Sequence, residues 1–174
     1  EMVGVLLPPS VGGTLTNIAL QLMGRVPINL NYTASSEVIA SCAGQCNVKQ
    51  VLTSKKLLER LPIEVPGETV FLEDIKDSIS ALDRVTSIPL SLLCPVRWLE
   101  AILGAPRQRT PDDLATIVFS SGSEGEPKGV MLTHRNIITN IDGSLEAFPN
   151  DRKSCVVGFL PFFHSFGFTA TLWL

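Results

Sequence analysis

The chain has 174 residues, 45% of them hydrophobic, and a formal net charge of −3. That is apolar content enough for a core, while the charge balance excludes the basic footprint of a nucleic-acid binder. No lysine or arginine cluster points to an anionic membrane surface. The four cysteines, Cys42, Cys46, Cys94 and Cys155, form no C-x-x-C pair and lie far from the two histidines, His134 and His164. A zinc site is therefore not expected, and buried free thiols of a reducing compartment are.

Val3 to Leu7 reads as a strand buried on both faces, ended by Pro8-Pro9-Ser10. Thr14 is the expected N-cap of a helix over Leu15 to Met23, closed by Gly24. Arg25 to Leu30 is a second strand and Asn31-Tyr32-Thr33 a turn. Ser35 or Ser36 caps a helix over Glu37 to Gly44, where Cys42 and Cys46 share a face. Lys49 to Thr53 is the third strand, and Ser54 caps a helix to about Leu61. This alternation predicts an α/β fold with a mostly parallel sheet and crossover helices.

The middle is less regular. Pro62 to Gly67 reads as a linker, Val70 to Leu72 as a short strand and Glu73 to Asp83 as a frayed helix. Leu90 to Leu103 is interrupted at Pro95. Gly104 to Pro111 reads as an exposed connection, with Arg107 and Arg109 solvated rather than touching a phosphate. Leu114 to Phe119 is a strand. Thr133 caps a helix over Asn136 to Phe148 with Ile137, Ile138, Ile141 and Leu145 as its buried stripe. Ser154 to Leu160 is the next strand. Cys155 to Leu174 carries no charge apart from that of His164, and its length would suit a membrane span. Pro161, two glycines, His164 and Ser165 favour a buried strand, a loop and the start of a buried helix instead.

Phe119-Ser120-Ser121-Gly122-Ser123-Glu124-Gly125-Glu126-Pro127-Lys128-Gly129-Val130 is the chemically richest stretch. Glycines let backbone N–H groups approach an anion. Ser120, Ser121 and Ser123 add hydroxyl donors, and Lys128 a mobile point charge. It is not a Walker loop, because Pro127 precedes the lysine and Gly129 follows it. Downstream stands Leu160-Pro161-Phe162-Phe163-His164-Ser165-Phe166-Gly167.

In that order the two stretches resemble the motifs of the adenylate-forming enzymes: acyl-CoA synthetases, peptide-synthetase adenylation domains and luciferases. The match runs through Ser121, Gly122, Ser123, Gly125, Pro127, Lys128, Gly129 and Val130, and departs at Glu124, where most members carry threonine. The Ser-Gly-Ser-Glu-Gly form is similar to the adenylating half of the bifunctional acyl-[acyl carrier protein] synthetase/2-acylglycerophosphoethanolamine acyltransferases. Asn31-Tyr32-Thr33-Ala34, Leu52-Thr53-Ser54 and Phe71-Leu72-Glu73-Asp74 agree with it.

The resemblance implies ATP and Mg²⁺ as cofactors, a fatty acid as substrate, and acyl carrier protein or coenzyme A as acceptor. Ser120, Ser121, Gly122, Ser123, Glu124, Gly125 and Lys128 would bind the nucleotide phosphates. Lys128 either adds charge near the pyrophosphate or latches the loop. Glu124 either meets magnesium or is a paired surface glutamate. His164 would lie near the acyl carboxylate, and His134 is structural. Residues 1–104 would supply the early βαβ units and 105–174 the phosphate-loop and acyl-pocket motifs. Both ends break off in apolar sequence, so a partial N-terminal domain is expected, inactive alone and self-associating through its ends. A position on the cytoplasmic side is expected, in a parent associated with the inner membrane. The rival expectation is a non-catalytic binding module that keeps the fold.

Overall fold

The computed structural model describes residues 1–105, 109–120, 126–148, 155 and 157–173. Four short strands form a parallel sheet: β1 (Met2–Val5), β2 (Val26–Asn29), β3 (Gln50–Thr53) and β4 (Glu68–Phe71). Their order, β2-β1-β3-β4, runs outward on one side of β1 and then on the other. Val3, Val5, Ile28 and Val51 are buried, as strands covered on both faces require. The crossovers are α1 (Val11–Leu22), α2 (Ser36–Gln45) and α3 (Lys55–Arg60), capped by the side chains of Ser10, Ser35 and Ser54.

Helix α1 begins a turn earlier than Thr14. The Ser10 hydroxyl accepts from the Gly13 N–H at 3.2 Å. Gly12 and Gly13, which a cap at Thr14 would leave outside the helix, lie inside the first turn. Glycine is needed at 13, because a Cβ there would stand 2.8 Å from the Pro8 carbonyl oxygen and 3.1 Å from the Phe162 ring. Gly24 closes the helix with φ of 70°, as expected.

The middle holds more helix than the sequence suggested. α4 (Leu72–Ser78) follows β4 directly, and α5 (Ala81–Leu93) starts from a Ser80–Asp83 capping box. α6 (Val96–Ile102) follows Pro95. Arg109 is not solvated. Its guanidinium donates to the Gln21 carbonyl at 3.1 Å and reaches Glu100 at 3.4 Å, because it closes the back of α1 onto α6. Arg107 lies outside the described residues.

Strand β5 (Leu114–Ser120) pairs antiparallel with β6 (Lys128–Thr133), so the glycine-rich stretch joins the two strands of a hairpin. The hairpin lies along β2. Thr116 Oγ1 donates to the Pro27 carbonyl at 2.7 Å, and Gln21 Nε2 donates to the Ala115 carbonyl at 2.9 Å. Pro27 has no N–H to offer a regular ladder, so side chains make the join.

Helix α7 (His134–Ala147) has its Thr133 cap. Only part of its expected stripe is inside. Ile137 is buried and Ile141 half-buried against Ala115, Phe162 and Phe168, while Ile138 and Leu145 are 53% and 42% exposed. No described residue of the stretch 154–160 pairs in a strand. The Phe159 N–H donates to the Val157 carbonyl at 3.2 Å instead. The chain then turns through Pro161–His164 into a π-helical turn, Gly167–Thr171. Among the described residues no helix is long and apolar enough to cross a membrane. Cys42 and Cys46 are buried as expected, but Cys94 is half-buried and Cys155 exposed.

Candidate active site

The carboxyl ends of β2 and β5 open onto one cavity of about 330 Å³. The end of β2 supplies Asn29, Leu30 and Asn31, and α2 supplies Val38 and Cys42. Phe119, Ser120 and Pro127 come from the two limbs of the hairpin, and Phe163 and His164 from the second motif. The site is thus a largely apolar chamber with a few polar groups at its edge, the usual make-up of a small-molecule site.

Local chemistry fixes each wall. Asn31 Oδ1 accepts from the Thr33 N–H at 2.9 Å and from the Thr33 hydroxyl at 2.7 Å, which makes the turn. That turn carries Tyr32, whose ring stands edge-on to Phe163 with centroids 5.2 Å apart. Burial raises the Tyr32 pKa, so the phenol stays neutral. Phe162 is fully buried against Gly13, a burial worth roughly 1.5–3 kcal/mol. It anchors the second motif so that the next two side chains reach the cavity.

Gly167 is equally constrained, since a Cβ there would fall 2.0 Å from the Pro161 carbonyl oxygen. The His164 N–H donates to that carbonyl at 3.1 Å, and the Phe166 N–H donates to His164 Nδ1 at 3.3 Å. The proton of the neutral imidazole is therefore on Nε2, the nitrogen left for a ligand.

Ser120 lines the cavity and is exposed. It pairs in the ladder with Lys128, and its hydroxyl donates to the Lys128 carbonyl at 3.4 Å. Lys128 is exposed on the exit limb and is not among the cavity residues. Ser121, Gly122, Ser123, Glu124 and Gly125 lie outside the described residues. No cluster of three or more His, Cys, Asp or Glu side chains suited to a metal occurs among the described residues.

Several groups at the site were not marked by sequence reasoning. Gln45, at the end of α2, donates through Nε2 to the Pro127 carbonyl at 3.0 Å and so ties the exit limb to the helix. Cys42 forms part of the wall. Burial, and secondarily Cys46, push its thiol up to about 11, so it is a neutral apolar surface at physiological pH. The i, i+4 spacing of Val38 and Cys42 shows a common face, but nothing local says that the face meets the hairpin. Asn29 carried no signal either. Its amide is engaged with Asn17 in a reciprocal pair, at 3.1 and 2.8 Å.

The sequence profile of the AMP-binding enzymes matches residues 1–174, the whole chain. The chain belongs to the AMP-binding enzyme family. Human long-chain-fatty-acid–CoA ligase 1 is 42% identical over 65 residues, 35% of this chain and 9% of the relative. Fatty acyl-CoA synthetase A of Dictyostelium discoideum is 28% identical over 162 residues, 87% of this chain and 24% of the relative. O-succinylbenzoate coenzyme A synthetase (MenE) of Bacillus subtilis, solved in complex with ATP and magnesium ion, superposes with a TM-score of 0.71 at 18% identity. It covers 98% of this chain, which spans 32% of that one. This AMP-binding enzyme chain therefore spans less than a third of the length of the curated relatives it matches. The likeness to MenE carries the α/β fold, and the profile carries the family.

Proposed function

We propose that the cavity belongs to an acid–thiol ligase that activates a fatty acid with ATP and Mg²⁺. A carboxylate oxygen attacks the α-phosphorus of ATP, forming the acyl-adenylate and releasing pyrophosphate. A thiol sulfur then attacks the acyl carbonyl and AMP leaves. The observation that carries this reading is the meeting of both limbs of the glycine-rich hairpin with His164 at one apolar chamber.

In this reading Ser120, Ser121, Gly122, Ser123 and Gly125 hold the β- and γ-phosphates through N–H and hydroxyl groups. Lys128 either neutralises the pyrophosphate or latches the hairpin. Glu124 would either meet the magnesium ion, since a carboxylate beside a triphosphate otherwise costs energy, or be a paired surface glutamate. His164 Nε2 donates to the acyl carboxylate at the chamber mouth, and Leu30, Ala34, Val38, Cys42, Phe119 and Phe163 pack on the acyl chain. Acyl carrier protein is the proposed acceptor because of the Glu124 form of the loop. Coenzyme A is the alternative, favoured by the names of both curated relatives above.

The test is fatty-acid-dependent exchange of pyrophosphate into ATP by the full-length protein. Exchange is expected, with a loss of about ten- to a hundredfold in His164→Ala if one charge-assisted hydrogen bond to the carboxylate is removed. Exchange at the wild-type rate in that variant removes His164 from the site. ATP binding with no exchange for any acid would favour a binding module that retains the fold.

A further inference from the structure

Asn29, Asn31, Ser120 and His164 bring the polar groups to the cavity wall. The Asn29 amide is committed to Asn17, and the Ser120 hydroxyl donates to the Lys128 carbonyl. Asn31 differs, because only half of its amide is used. Its oxygen accepts from both the N–H and the hydroxyl of Thr33. A backbone N–H can only donate, so the atom facing it is the oxygen and the orientation of the amide is fixed. The Nδ2 group keeps its N–H donors, with no acceptor for them among the described residues.

His164 is divided in the same way. Nδ1 accepts from the Phe166 N–H, which leaves the proton on Nε2. The two residues are brought to one edge of the cavity by their chain neighbours. Tyr32 follows Asn31, Phe163 precedes His164, and those two rings stand edge-on with centroids 5.2 Å apart. Behind them Leu30, Val38, Cys42 and Phe119 make an apolar wall. No Asp, Glu, Lys or Arg stands among the described residues that line the cavity.

Neutral N–H donors at the rim of an apolar chamber suit a molecule with one anionic head and a hydrocarbon tail. A phosphate, with its higher charge, calls for a cation that this lining does not hold. We propose that Asn31 binds substrate: its Nδ2 donates to the carboxylate of the fatty acid, beside His164 Nε2. The proposal rests on the acyl-adenylate reading and adds a residue to it. Two neutral donors orient the head without pairing it to a cation, and the oxygen left free faces the α-phosphorus.

The experiment is fatty-acid-dependent pyrophosphate exchange by the full-length protein, with KM measured separately for the acid and for ATP. Asn31→Asp keeps the oxygen that makes the turn and replaces the donors with a second carboxylate oxygen. Its KM for the acid is expected to rise about ten- to a hundredfold, with the KM for ATP within about twofold of wild type. Asn31→Ser, whose hydroxyl oxygen serves the same kind of turn, is expected to raise the acid KM about tenfold without the added repulsion. Thr33→Val weakens the turn but keeps the donors, so its acid KM is expected within about threefold of wild type. An unchanged acid KM in both Asn31 variants overturns the proposal. Equal rises in Asn31→Ser and Thr33→Val also overturn it, by making Asn31 a turn residue alone, and so do equal rises in the KM for acid and for ATP. Each of these outcomes requires that the wild type exchanges. No exchange by wild type with any fatty acid overturns the acyl-adenylate reading itself, and this proposal with it.

Discussion

Gln45 shows how one side chain positions a loop that it does not belong to. Its amide holds the carbonyl of Pro127, directly before Lys128, and its neighbour one turn back, Cys42 on the same helix, lines the chamber. A neutral hydrogen bond of this kind contributes about 0.5–1.5 kcal/mol. Gln45→Ala is therefore expected to raise the KM for ATP about three- to tenfold, with little change in kcat. Gln45→Glu, which cannot donate to a carbonyl, should behave the same way. Steady-state kinetics checks both, and an unchanged KM would show that the bond is ornamental. The glycine-rich stretch was legible because its residue types announce an anion site. Gln45 was not, because it lies 82 residues from its partner and glutamine on an exposed helix has no distinctive pattern.

Among elements, the join of α1 to β2 depends on the buried Asn17–Asn29 pair. Each amide donates to the other, and Asn17 Nδ2 also donates to the Gly13 carbonyl at 2.9 Å. Asn29→Ala leaves the Asn17 carbonyl oxygen without that donor in a dry place, which costs about 1–3 kcal/mol. A lower urea midpoint with an unchanged slope is the expected result, and a midpoint within error of wild type would refute it. Strands and caps were legible where a serine or threonine precedes a periodic run, at Ser35, Ser54 and Thr133. The start of α1 was not. Gly13 looks like part of a connection until Phe162, nearly 150 residues later, is seen to need the space. The run from 154 to 160 failed for the opposite reason: it has strand composition but no neighbour to pair with among the described residues.

For the molecule as a whole, two sites at the foot of the hairpin and α7 contribute to acid stability. Burial, and then the nearby Arg109, hold His134 below its usual value of 6.5, against a smaller opposing pull from Asp113. The folded state thus binds fewer protons there than the unfolded chain does. The His134 contribution to stability is complete above pH 6.5 and is lost as the pH falls from there through the lower folded value. Arg135 holds the Asp112 carboxyl below 3.8, so that contribution is present above this value and disappears in stronger acid. Urea unfolding between pH 7 and 5 should show a falling midpoint, flattened in His134→Gln. A wild-type slope in that variant would place the proton uptake elsewhere.

By itself the sequence determined the βαβ alternation, most of the caps, the glycine-rich stretch and the motif around His164. These are short-range properties: backbone freedom, capping hydroxyls and the period of apolar residues act within a few residues of one another. The tertiary structure alone decided that the glycine-rich stretch joins an antiparallel hairpin beside β2, that Gln45 and Cys42 face it, and that no residue of α5 is buried. Those outcomes depend on which surfaces meet across the sheet, and burial is a property of the neighbour as much as of the residue.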